Sequence, residues 1–226
     1  MSTALYDRVI FGPIHSRRLG LSLGVNLLPL DHKLCSFDCI YCECGWGEKR
    51  EKVRFNDRET VRRELERKLT EMVEAGTPPN VITFAGNGEP TLHPDFGEII
   101  EDTIALRDRI APRAKVSVLS NATQIGRERV RAALLRVDNN ILKLDSAFDR
   151  TVRLVDRPRG NYSVAETVEN MKKFEGQLIV QTMFLRGEFD GKIVDNTTEE
   201  EVSAWLALTR EIAPRQVMVY TIDRST

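Results

Sequence analysis

All four cysteines of the chain fall between Cys35 and Cys44. Cys35-Ser-Phe-Asp-Cys39-Ile-Tyr-Cys42 sets three of them in a C-x3-C-x2-C pattern. Three thiolates on one short loop can wrap a single compact inorganic core. Thiolates are the usual ligands of iron–sulfur clusters, which normally take four. Three protein ligands leave one iron open to a substrate or cofactor. A closed zinc site is the competing reading: it needs four ligands, and Cys44 or His32 offers the fourth. Structural disulfides are usually spread out to close loops in oxidising compartments, so this tight cluster reads as metal ligation or redox chemistry. Cys44 forms a C-x-C pair with Cys42, which is sterically awkward for two ligands of one cubane, and reads as a non-ligand.

Such a loop needs a rigid frame. An apolar run at 21–28 reads as a first strand leading into it. A helix is expected over 55–75, capped by Asn56 or Asp57 and ended by Gly76-Thr77-Pro78-Pro79. Val81-Ile82-Thr83-Phe84 is a compact buried strand that stops at a glycine-rich turn, Ala85 to Pro90. Helices are then expected at 94–110, 126–136, 163–174 and 198–212, alternating with strands at 115–119, 141–144, 178–184 and 217–221. Six strands with five intervening helices imply a parallel sheet with right-handed crossovers. Six units are too few for a complete eightfold barrel, so three-quarters of a barrel and an open doubly wound sheet both fit. In either, functional loops gather at the C-terminal strand ends. Lys143 and Asp145 lie two apart on one strand and therefore share a face, where they are costly unless paired or ligand-bound. Gln181 and Met183 share a face of the next strand.

Tyr41 completes a C-x3-C-x-aromatic-C motif. Gly86-Asn87-Gly88-Glu89-Pro90-Thr91-Leu92-His93-Pro94 follows one strand later, and Gly12-Pro13-Ile14-His15-Ser16-Arg17-Arg18-Leu19-Gly20 precedes the loop. Together they resemble the radical S-adenosylmethionine (radical SAM) enzymes, in the branch of Fe–S oxidoreductases related to tRNA wybutosine synthesis. The resemblance covers essentially the whole chain. It implies an α/β fold, a partial (βα)6 TIM-type barrel of six parallel strands with outer helices. It implies one domain over 1–226, with 1–20 as an N-terminal extension and 21–226 as the barrel. Cys35, Cys39 and Cys42 would hold a [4Fe–4S] cluster, and S-adenosyl-L-methionine would chelate the open iron. Gly86, Asn87, Gly88 and Glu89 fall where the family binds the SAM amino group. Ser120 and Asn121 match its ribose or carboxylate contacts. Lys143 and Asp145 would hold the SAM carboxylate and ribose, or else pair internally, and Gln181 would contact SAM. Tyr220, on a last strand reaching Asp223, and Tyr41 fall where the adenine lies. Adjacent Arg17 and Arg18 suit phosphate or carboxylate recognition or a clamp at the barrel mouth.

A formal net charge of −1 on 226 residues argues against a generic polyanion binder. The apolar and charged shares are those of a globular protein. No apolar run approaches the roughly 20 residues of a membrane span, and no signal pattern opens the chain, so no membrane association and a cytoplasmic location are expected. The expected partners are a reductant such as flavodoxin or ferredoxin and a substrate: a modified RNA base, a peptide or a small metabolite. A zinc-stabilised nucleic-acid-binding module is the alternative from another class.

Overall fold

The computed structural model describes residues 4–16, 18–47 and 53–222. Arg17 and Asp223, named above, lie outside them. The strands are β1 (Ile10–Ser16), β2 (Gly20–Val25), β3 (Val81–Phe84), β4 (Lys115–Ser120), β5 (Asn139–Lys143), β6 (Ile179–Met183), β7 (Arg186–Phe189), β8 (Lys192–Asp195) and β9 (Gln216–Tyr220). The helices are α1 (Arg58–Glu74), α2 (Phe96–Ile110), α3 (Glu128–Leu134), α4 (Asp149–Val155), α5 (Val164–Lys172) and α6 (Glu199–Ile212), with a 3-10 turn at Pro90–Leu92. One seven-stranded sheet runs β1-β2-β3-β4-β5-β6-β9. All its neighbours are parallel except β1 and β2.

The six expected parallel strands are all present, in the expected order. The sheet gains a seventh strand from the segment expected to precede it as an extension. β1 escapes a strand reading because Gly12-Pro13 interrupts it; the register with β2 slips between Phe11 and Ile14. Proline lacks a ladder donor and is confined to edges and bulges, which is where it sits here. Two further differences are α4 and a separate β7–β8 hairpin. The hairpin turns on Asp190-Gly191, both at positive φ (51° and 69°), the turn chemistry of a two-residue loop.

The helices form where cap and stripe agree. In α1, the Asp57 carboxylate accepts from the Thr60 N–H, and Val61, Leu65, Leu69 and Met72 make the buried face. The strands alternate. Leu23, Val25, Ile82, Phe84, Val116, Val118, Leu142 and Val180 point outward into the core beneath the helices. Leu119, Ile141, Ile179 and Met218 point inward to a smaller cluster on the opposite face. Successive strand residues face opposite sides, so one set of strands builds the core and lines an interior.

Candidate active site

The cysteine loop lies over the C-terminal ends of the strands and is tied down on two sides. The Leu34 N–H donates to Asn87 O (2.8 Å), and the Glu89 N–H donates to Leu34 O (3.0 Å). Gly88 is required by this approach: a Cβ there would lie 1.8 Å from Leu34 O, and its φ is +136°. On the other side, Asp38 N donates to Asp156 O, Ile40 N to Val155 O and Arg159 N to Ser36 O. Phe37 is fully buried edge-on to Tyr162. The Asp38 carboxylate accepts from Gly47 N (2.8 Å) and Arg159 Nε (2.6 Å). Burial would raise the Asp38 pKa, but these donors outweigh it and hold the value below the ordinary one.

All four cysteines line one cavity of about 320 Å³. Cys39 Sγ faces Asp156 Oδ1 at 3.3 Å, and Cys44 Sγ faces Gly86 O at 3.4 Å. Burial pushes the Cys35 thiol up to about 12 and raises that of Cys39. Cys42 is different. A hydrogen bond from Cys44 and the nearby Lys33 ammonium bring it down to about 6, against the opposing effect of burial. Lys33, which the sequence reading passed over, is buried and donates to Gly45 O (2.8 Å). Burial would lower its pKa, but the charges of Cys42, Cys35, Cys39 and Asp38 outweigh that and keep the ammonium protonated.

Among the described residues no three His, Cys, Asp or Glu side chains converge on one metal position. The donor set nonetheless suits an iron–sulfur cluster. Three thiols of one loop face one cavity, and a buried cation stands among them to offset thiolate charge. It suits zinc less well. His32 does not line the cavity, and its Nδ1 meets Asp31 at 2.7 Å.

The glycine-rich turn supplies backbone to the cavity through Gly86 and Gly88. Asn87 turns its side chain elsewhere, donating to Tyr6 O and Pro29 O and accepting from Tyr6 N. Glu89 lines the cavity but is already saturated. Its carboxylate accepts from the Thr91 N–H and hydroxyl, Ser120 Oγ (2.9 Å) and Asn121 N (2.6 Å). Burial raises its pKa against those donors. It therefore locks the end of β3 to the end of β4. Asn121 reaches the cysteine loop, donating to Ser36 Oγ at 2.9 Å and lying 3.5 Å from Cys35 Sγ.

Lys143 and Asp145 do pair, at 3.1 Å. Tyr41 Oη contacts both of them and also reaches Asp156 Oδ1 (3.2 Å). Asp156 belongs to the same buried group and no sequence pattern signals it. Burial and the Asp145 charge raise its pKa well above the usual carboxylate range. Burial opposes the Lys143 charge, but Asp145 and its neighbours outweigh that and raise its pKa. Lys143, Gln181, Met183 and Tyr220 face the cavity. Asp145 stands behind them, accepting from the Met183 N–H.

A three-cysteine loop over the strand ends, a glycine-rich turn pairing with it and a mostly parallel sheet define a class. The family model of the radical SAM superfamily matches residues 32–196, and the chain belongs to that superfamily. A protein named GTPase Obg from Brachyspira hyodysenteriae is 30% identical over 226 residues, taking in 98% of this chain and 31% of its own length. A UPF0026 protein of Methanocaldococcus jannaschii is 31% identical over 219 residues, covering 94% of this chain and 63% of its own. The chain thus spans less than two thirds of the length of these two relatives. Among solved structures, TYW1 with a lysine–pyruvate adduct bound superposes with a TM-score of 0.63 at 15% identity, over 91% of this chain and 66% of that one. A radical SAM methyltransferase from Sphaerobacter thermophilus gives 0.62 at 13% identity, over 88% and 55%. These likenesses concern the fold, the partial barrel with outer helices expected from the family resemblance. Among the described residues no helix is long and apolar enough to cross a membrane.

Proposed function

We propose that residues 1–226 act as one radical SAM unit whose Cys35, Cys39 and Cys42 hold a [4Fe–4S] cluster. Bound there together with S-adenosylmethionine, such a cluster would supply one-electron reductive cleavage of S-adenosylmethionine for hydrogen-atom abstraction from a substrate. The protein binds, orients and excludes water. Gly86 and Gly88 offer backbone to the methionyl end, and Asn121 and Ser120 steady the loop end beside it. Lys143, fixed by Asp145 and Tyr41, presents an ammonium to a carboxylate. Gln181 and Tyr220 face the nucleoside side, and Cys44 stays a non-ligand. The electron comes from a small flavoprotein or ferredoxin.

One observation carries this reading: in a chain of this superfamily, three thiols of one loop share a cavity with the glycine-rich strand end. Anaerobic reconstitution with iron and sulfide tests it. About four irons and four sulfides per chain are expected, with a cubane electron paramagnetic resonance signal on reduction that shifts when S-adenosylmethionine is added. A colourless protein that keeps one zinc and takes up no sulfide would overturn it.

A further inference from the structure

A second cavity, of about 250 Å³, lies on the concave face of the sheet. It shares Leu119 and Gln181 with the cysteine-lined cavity, so the two adjoin. Its walls are mostly apolar: Ile14, Leu19, Ile141, Met218 and the stacked rings of Tyr6 and Phe11. Ser22 and Thr83 add a hydroxyl pair, hydrogen-bonded to each other at 2.8 Å. Among the described residues that line it, Arg18 is the one charged side chain.

Arg18 stands at the open seam of the sheet. Its Nη2 donates to Val219 O of β9 (2.9 Å), and its guanidinium lies 5.5 Å from the Tyr220 ring centroid. Tyr220 lines the neighbouring cavity, so Arg18 sits where the two meet. No described carboxylate pairs with it. A guanidinium has five N–H donors in a planar fork, and one carbonyl leaves most of them unspent.

Resting on the cofactor reading above, we infer that this inner cavity is the substrate pocket and that Arg18 binds an anionic group, carboxylate or phosphate, of a small substrate with an apolar body. A cavity of about 250 Å³ is of a size to seat a small ligand body. Arg18 is exposed and has no carboxylate partner among the described residues, and charge-assisted hydrogen bonds from its remaining donors favour an oxyanion over a neutral or cationic group. Seating the body against Leu119 and Gln181 brings it to the edge of the cofactor cavity.

The test is direct binding of butyrate, monobutyl phosphate and neutral butyramide, by calorimetry, to apoprotein and to reconstituted protein. One of the two anions should bind at least about tenfold tighter than butyramide, the scale of one charge-assisted hydrogen bond; which one wins identifies the group. Arg18→Gln should erase the preference and Arg18→Lys should keep part of it. Ile141→Phe, which fills the cavity without touching Arg18, should weaken anion binding by a similar factor. Equal binding of all three probes, no saturable binding of either anion, or an unchanged preference in Arg18→Gln would overturn the inference. Single-stranded RNA or a peptide binding independently of Arg18 would also overturn it. Failure to assemble a cluster would count against the cofactor reading alone, because the apoprotein arm does not depend on one.

Discussion

The two faces of the sheet are made by alternate residues of the same strands, yet they differ in kind. The outer face is a continuous apolar layer under the helices, with Leu23, Ile82, Phe84, Val116, Leu142 and Val180 each 0% exposed. The inner face carries Ser22, Thr83, Lys143 and Gln181 among its apolar residues and encloses two cavities. Stability therefore rests on one face, which frees the other to hold polar and charged groups that would weaken a core. A partial barrel makes this division available because its interior is not filled by packed layers of side chains, as a closed eightfold barrel is.

Substitutions on the two faces should fail differently. The largest contrast is expected from Cys42→Ala. It should lose iron and sulfide incorporation completely while the apoprotein's thermal midpoint stays close to wild type; a collapsed midpoint would make the loop part of the core. Phe84→Ala, on the outer face, should cost about 3–5 kcal/mol in denaturant unfolding, the range for a fully buried Phe. Lys143→Met tests the buried charges and should cost up to about 3–5 kcal/mol, since it strands Asp145 beside Asp156. A double variant that also carries Asp145→Asn should recover part of that loss. Glu89→Gln keeps the shape but sets an amide N–H₂ against donors, and should cost about 1–3 kcal/mol. Thr83→Ala, removing one inner hydroxyl, should fall within about 1.5 kcal/mol; a larger cost would show that the inner face also carries the fold.

The strands and helices of the parallel sheet were legible because burial writes its period into them. Val81 to Phe84 is buried throughout, and α1 repeats its buried residues every three or four positions. The cysteine loop was legible because ligand spacing is local. β1 was hidden by Gly12-Pro13, and α4 is only seven residues long. The β7–β8 hairpin is mostly exposed, so no alternation marks it, although Asp190-Gly191 was available as a turn signal. The partners of the site were the least legible. Tyr41 meets Asp156 across 115 positions, and Asp38 meets Arg159 across 121. Lys33 was overlooked because a lysine beside a cysteine loop has no sequence mark of burial. At Gly88 the missing Cβ makes room for the Leu34 carbonyl, a contact 54 positions away in sequence that no local pattern marks.

The most direct test of the cofactor chemistry is the release of 5′-deoxyadenosine from S-adenosylmethionine by the reconstituted, dithionite-reduced protein. 5′-Deoxyadenosine and methionine are expected in equal amounts from the wild type, and neither from Cys35→Ala, Cys39→Ala or Cys42→Ala. Intact S-adenosylmethionine after incubation with a protein carrying a full complement of iron and sulfide would contradict it.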